Sequence, residues 1–397
     1  MAVSWACYNC FVPVIIESPP YIVALYPRKN IAVHDKYGPV VRIGPHHVSF
    51  ASPEALQIIH SSRGAYPKSN FYKPTSPIYE GHPLFNLFSI QDVQYHTIFK
   101  KNIAGLYTKT AVLDLEPCID NCIELFSERL TELSSNGSVD LDMSLWLHLF
   151  AFDCLGEINV SKKFGFLKSG TDIRGMIAAA DRILHMTGLY AQAPILQMLQ
   201  NSIKRVWDVK KNNPLLMYTF AEVASRRQNP KAGSDMLNNF LKLQEAQPDK
   251  LSDKEITGSL YINLMAGHDV LAITLRSIFY YLARTPQVLS KLRREIAPLE
   301  EKYPLPQIVP YIEVSHLPYL DAVIYEALRI HANTGTILER VVPAEGAEID
   351  GYQIPGGQSE MKRNMFSFGS GPQRSWSVMG GWVTKQTDMN MLVTSRK

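Results

Sequence analysis

Apolar positions change period several times along the chain. In residues 37–50, Val40, Val41 and Ile43 precede a Gly44-Pro45 break, and Val48 and Phe50 follow it, which predicts two short strands joined by a turn. Ser52-Pro53-Glu54 then supplies a cap, a proline at the first helical position and an acid in the first turn, so a helix opens there. From about residue 92 to residue 296 the pattern is mainly helical. Residues 113–133 place Ile119, Cys122, Ile123, Leu125 and Phe126 at three- and four-residue spacing, and residues 140–155 form a second such stretch rich in aromatics and leucine. The polar, proline- and glycine-bearing stretch 228–235 is a loop.

The clearest helix follows. Ser252-Asp253-Lys254-Glu255 is a capping box, and the helix it opens runs to about Ala283, where Thr285-Pro286 stops it. At 1.5 Å per residue, roughly 30 residues reach about 45 Å, enough to cross a whole domain. Residues 318–330 form another helix with Leu320, Val323, Ile324, Ala327 and Leu328 on one face, and residues 341–354 read as short strands turned at Gly346 and Gly351. Residues 375–397 show neither period, which predicts a poorly packed tail. The sum is one α+β domain, mainly helical, with a minor sheet near its N-terminal end.

Composition narrows the function. The 397 residues are 46% hydrophobic and 19% charged, an ordinary globular balance with ample core. A net charge of +3, with no basic run interleaved with aromatics, excludes a nucleic-acid partner. The apolar run 11–16 is broken by Pro13 and followed by Glu17, Pro19 and Pro20, against the about 20 apolar residues a spanning helix needs. No transmembrane helix is expected, and a cytosolic place or a peripheral one on a membrane face is. The five cysteines are Cys7, Cys10, Cys118, Cys122 and Cys154, too few and odd in number for a disulfide framework. Cys7-x-x-Cys10 has redox spacing without a second pair, and no cysteine follows Cys154.

Three constellations could carry chemistry. Ala266-Gly267-His268-Asp269 interrupts an apolar run in the middle of the long helix, where glycine costs about 1 kcal/mol relative to alanine. It is either a polar step beside a bound ligand or a satisfied His–Asp pair. Glu326 and Arg329 stand i,i+3 on the 318–330 helix, either as a solvated pair or as part of a network behind a cofactor. Phe366 to Pro372 is a glycine-bearing turn with no phosphate-loop lysine. His46, His47 and His96 lack a third ligand at metal-like spacing.

Taken in order, these pieces resemble the cytochrome P450 family of haem-thiolate monooxygenases. Residues 36–45 are similar to the first sheet of fungal members, residues 266–269 to the alanine-glycine-x-acid step of the central helix, and Leu282-Ala283-Arg284-Thr285-Pro286 to the segment after it. Glu326-x-x-Arg329 matches the E-x-x-R motif, Gly351-Tyr352-Gln353-Ile354-Pro355 the strands beyond it, and Phe368-Gly369-Ser370-Gly371 the opening of the haem loop. Residues 164–172 resemble the pisatin-demethylase-like fungal branch. The resemblance covers residues 37–374, leaving residues 1–36 as an N-terminal segment and 375–397 as a divergent tail.

The resemblance implies a P450 fold, haem as cofactor, an NADPH-cytochrome reductase as partner and a lipophilic small-molecule substrate, as in fungal secondary metabolism. It implies that Gly267 and Asp269 face oxygen and its proton relay. Glu326 and Arg329 are expected to be buried behind the haem with a shared third partner, and Arg340 and Lys100 to meet the propionates. Phe368, Gly369 and Gly371 are expected to form the haem loop. Two departures limit this. Val270 follows Asp269 where the family has threonine, and the chain between Pro355 and Met361 is much shorter than the family pattern. Ser375 stands at the cysteine position, so the fold is incomplete at the haem loop, as a skipped exon and shifted reading frame would leave it. The expectation is therefore a monooxygenase family member that is catalytically impaired as written; the alternative is a non-catalytic helical protein that binds a lipophilic ligand.

Overall fold

The computed structural model describes residues 31–44, 47–61, 66–80, 82–192, 213–230, 234–331, 333–334, 338–356, 359–362, 378–379, 385–386 and 390–393. The predicted N-terminal hairpin is present as β1 (Val40–Gly44) and β2 (His47–Phe50), antiparallel with Val40 opposite Phe50. Helix α1 (Pro53–Ile59) starts as its sequence dictates, because Ser52 accepts the Ala55 N–H at 3.0 Å. Next come α2 (Val93–Ile103), α3 (Glu116–Ser134), the strand β3 (Val139–Asp142) and α4 (Met143–Val160). The helical pattern read from residue 140 thus begins later than expected. Asp142 ends a strand and caps α4, accepting the Ser144 N–H at 2.9 Å.

Helices α5 (Met176–Gln192), α6 (Pro214–Gln228) and α7 (Met236–Ala246) lead to the long helix α8 (Asp253–Arg284). Its capping box forms: Glu255 accepts the Ser252 N–H at 2.7 Å, and Ser252 accepts that of Glu255 at 3.3 Å. Helices α9 (Pro286–Lys302) and α10 (Pro318–Ile330) follow, both with proline in the first turn. Short strands β4 (Arg340–Val341), β5 (Ala347–Ile349) and β6 (Tyr352–Ile354) come next. Gly346 and Gly351 adopt φ of 83° and 77° around the β5–β6 hairpin, a region open to glycine at no steric cost. Strand β7 (Ser359–Lys362) inserts between β2 and β4, parallel to the first and antiparallel to the second, so the main sheet runs β1-β2-β7-β4.

The main core lies where α4 is enclosed by α3, α6 and α8. Leu147, Leu149, Ala151 and Phe152 of α4 are all buried, and a helix apolar on every side belongs inside. A second core joins Phe99 and Ile103 of α2 to Leu237 and Phe240 of α7 and to Ile256 and Leu260 of α8. Buried Asp153 anchors the turn after α4 by accepting the N–H groups of Gly165 and Leu167, both at 2.9 Å.

The tail departs from its expectation. Strands β8 (Val378–Met379) and β9 (Lys385–Gln386) pair with each other, and β10 (Asn390–Val393) pairs antiparallel with β3, setting Val393 opposite Val139 and Met391 against the main core. Two- and four-residue strands are too short to display a period, and β10 is held by a partner some 250 residues earlier, about which local pattern says nothing.

Arg226 ties α6 to α7. It donates to Asp235 Oδ1 at 3.0 Å and to the Val160 carbonyl at 2.9 Å, and also meets Asn238, while Asp235 is 0% exposed. Removing the cation leaves a buried carboxylate without its counter-ion, so Arg226→Met is expected to lower unfolding free energy by about 3–5 kcal/mol in urea titrations.

Candidate functional site

Helix α8 has two unlike sides. His268, Asp269, Ala272, Ile273 and Arg276 are buried, whereas Ala266, though in mid-helix, is exposed, and Ile262, Val270 and Thr274 at four-residue spacing are only half-buried. Among the described residues that stripe is the less covered side of α8. Gly267 does not serve it. A Cβ there would lie 2.8 Å from Leu155 Cδ1, so this glycine lets α4 and α8 approach. Asp269 likewise sits against α4, with Oδ1 3.4 Å from His148 Nε2. The two helices run antiparallel, so Leu155 meets Gly267 while Ser144 meets Arg276, whose Nε donates to its carbonyl at 2.9 Å.

A cluster of basic groups forms beside this stripe. His96 and Lys100 share one face of α2, Arg340 opens β4, and Lys68 is bridged to Arg340 by backbone pairing. The position is set from two sides. Phe99 and Ile103 pack α2 onto α8, and Asn333 Nδ2 donates to Thr274 Oγ1 at 2.8 Å, tethering the segment that leads to Arg340. Lys68 Nζ donates to the carbonyls of Leu87 and Phe88 at 2.6 and 2.9 Å, and Arg340 Nη1 donates to the Glu339 carbonyl at 2.9 Å and to the Tyr72 hydroxyl.

Among the described residues none of these four groups is ion-paired to a carboxylate, and the charges push on one another. Burial, then Arg340 and Lys100, lower the Lys68 pKa to about 7. Burial, then Lys68 and Lys100, lower that of His96. The neighbouring acid does not compensate: burial raises the Glu339 pKa to about 7, although Ser69 donates to it at 2.6 Å. Crowded like charges in a half-buried place are destabilising on their own and become favourable when an anion enters. Lys100 and Arg340 were legible from the sequence. Lys68 was missed, because no period marks it and only its pairing with Arg340 brings it in.

Glu326 and Arg329 are corrected. Both side chains are more than half exposed, and among the described residues they hold only each other, Nε to Oε2 at 2.6 Å and Nη2 to Oε1 at 2.7 Å. The partner lowers the Glu326 pKa, and an exposed pair of this kind contributes little to stability. Among the described residues no segment covers this end of α10. Cys122 and Cys154 are buried in the main core and Cys118 Sγ contacts the Ser234 carbonyl at 3.7 Å. Phe368, Gly369, Gly371 and Ser375 lie outside the described residues, as do Cys7 and Cys10.

Comparison with known proteins settles the family. The cytochrome P450 family model matches residues 26–361. The chain belongs to the cytochrome P450 family. It is 35% identical over 339 residues to a cytochrome P450 monooxygenase of Aspergillus terreus, covering 83% of this chain and 69% of that one. It is 33% identical over 334 residues to pisatin demethylase of Fusarium vanettenii, covering 82% and 63%. The chain thus spans about two thirds of the length of these relatives. A crystal structure of the cytochrome P450DA heme domain superposes with a TM-score of 0.72 over 96% of this chain and 94% of that one at 14% identity, which establishes the fold. The P450 match ends at residue 361, before the predicted haem loop. No described helix of this family member is long and apolar enough to cross a membrane.

The two titrations near the basic cluster have opposite signs. Between about pH 4.5 and 7 the native chain binds more protons at Glu339 than the unfolded chain does, so stability falls as pH rises. Between about 7 and 10.5 the unfolded chain binds more at Lys68, so stability climbs. Lys68→Met is expected to raise the urea midpoint at pH 7 and to converge with the parent by pH 10.5, measured as midpoint against pH.

Proposed function

We propose that this chain holds a haem, or an equally acidic lipophilic ligand, at the basic cluster but does not act as a monooxygenase as encoded. The observation that carries the reading is the convergence of Lys68, His96, Lys100 and Arg340 without a carboxylate partner among the described residues, beside the open apolar stripe of α8. Two carboxylates on a flat apolar ring system match that arrangement: Lys68, Lys100 and Arg340 would hold the propionates, and Ala266 and Val270 would offer the ring an apolar surface. The iron-ligand side does not match. Bound haem would supply oxygen activation, and in this family that chemistry depends on a cysteine thiolate donating electron density to iron. Here Ser375 stands at the ligand position and no cysteine follows Cys154. Val270 also removes the hydroxyl that the family places after the acid.

Residues 37–374 are then a P450-like domain, with Phe368, Gly369 and Gly371 opening the haem loop and 375–397 a divergent tail tied back by β10. The ancestral activity was oxidation of a lipophilic small molecule of fungal secondary metabolism, with electrons from an NADPH-cytochrome reductase. Its place is cytosolic or peripheral on the endoplasmic-reticulum face. The non-catalytic ligand-binding alternative is favoured by the same stripe and differs only in the identity of the ligand.

Expression with added haem, followed by the carbon monoxide difference spectrum of the reduced protein, tests the reading. Haem uptake without the red-shifted thiolate band, and no reductase-dependent turnover, are expected. Arg340→Met should weaken uptake by about 1.5–3 kcal/mol, roughly tenfold to a hundredfold. Ser375→Cys alone should not restore the thiolate band, because the segment after Pro355 is also short. A thiolate band in the parent chain overturns the loss of catalysis. No uptake of haem by the parent chain leaves the lipophilic-ligand alternative.

A further inference from the structure

The α4–α8 contact brings together His148, His268 and Asp269, all buried, with one donor atom from each lying within 4.8 Å of the others. Nothing in the proposed function uses them as a group. His148 Nε2 is 3.4 Å and His268 Nε2 is 3.7 Å from the same oxygen, Asp269 Oδ1. Two ligand atoms bound about 2.1 Å from one tetrahedral ion stand about 3.4 Å apart, so these spacings are those of a shared coordination sphere. The two imidazole rings are parallel within 8° with centroids 5.3 Å apart.

The outer contacts set the tautomer. His268 Nδ1 lies 2.6 Å from the Leu264 carbonyl, which can only accept, so Nδ1 carries a hydrogen and Nε2 is the ring nitrogen that faces Asp269. A backbone carbonyl holding one ring nitrogen while the other faces a carboxylate is the arrangement that orients metal-ligating histidines. Arg276 Nε and Nη2 donate to the Ser144 carbonyl at 2.9 and 2.6 Å, and Asp269, then Asp142 and Asp181, act on its charge. Phe152 stacks on His268 at 4.0 Å and walls the cluster from water, which strengthens any charge interaction inside.

We propose that His148, His268 and Asp269 bind one zinc-class divalent ion that clasps α4 to α8. Two imidazoles and one carboxylate suit zinc, whereas calcium and magnesium require more oxygen donors. The donors come from two helices and are sealed on all sides, so the ion enters as the helices dock and the site is structural. It binds independently of haem.

The test unfolds the chain in urea with chelator, then refolds it without haem in the presence or absence of equimolar zinc. Elemental analysis after gel filtration is expected to find one zinc per chain, and the zinc-refolded protein to melt roughly 5 °C or more above the metal-free form. Cobalt in place of zinc should give tetrahedral visible bands without a thiolate charge-transfer band. His148→Gln and Asp269→Asn should each abolish retention, and Cys7→Ser with Cys10→Ser should leave it intact. A proton shared within the triad is the competing arrangement; it predicts no retained zinc and no melting shift in the parent chain. That result overturns the proposal, as does zinc retained by both His148→Gln and Asp269→Asn, or a cobalt spectrum dominated by thiolate.

Discussion

The antiparallel contact of α4 and α8 is the constraint on which the rest depends. Helix α4 is apolar on every side and must be enclosed, and α8 is long enough to be its main wall. Close approach is possible because Gly267 leaves no Cβ to meet Leu155. Once the helices are that near, the polar side chains of α8 facing α4 have to be satisfied inside. Arg276 reaches the Ser144 carbonyl, His268 reaches that of Leu264, and Asp269 sits between two imidazoles. The opposite side of α8 is thereby left as small and apolar residues facing outward.

The basic cluster is the electrostatic counterpart of that open stripe. It gathers cations from three separate segments, and burial alone already depresses Lys68 before its neighbours act. The acid that could balance them, Glu339, is held toward neutrality by its own burial. Such an arrangement is stable only because the surrounding packing over-determines it, and it stores the free energy that an anionic ligand releases on entry. The exposed Glu326–Arg329 pair shows the reverse case, where two ideal partners face solvent and therefore secure nothing beyond themselves.

Local chemistry made much of this legible beforehand. The capping box at Ser252, the proline starts at Pro53 and Pro318, the stop at Thr285-Pro286 and the glycine turns at 346 and 351 all act within a few residues, and each is present in the structure. Lys100 and Arg340 could be named from motif order. The chain's own sequence also determined that no cysteine follows Cys154. What only the tertiary structure decided depended on partners far along the chain. Lys68 joins Arg340 across some 270 residues, β10 finds its edge at β3, and Glu326 and Arg329 remain exposed because no described segment covers them. Gly267 and Asp269 were singled out correctly as unusual in mid-helix, yet the side of α8 they serve was set by where α4 docks. Capping and turn signals are local interactions written in adjacent residues, whereas burial and pairing are properties of the packed neighbour, which no single segment encodes.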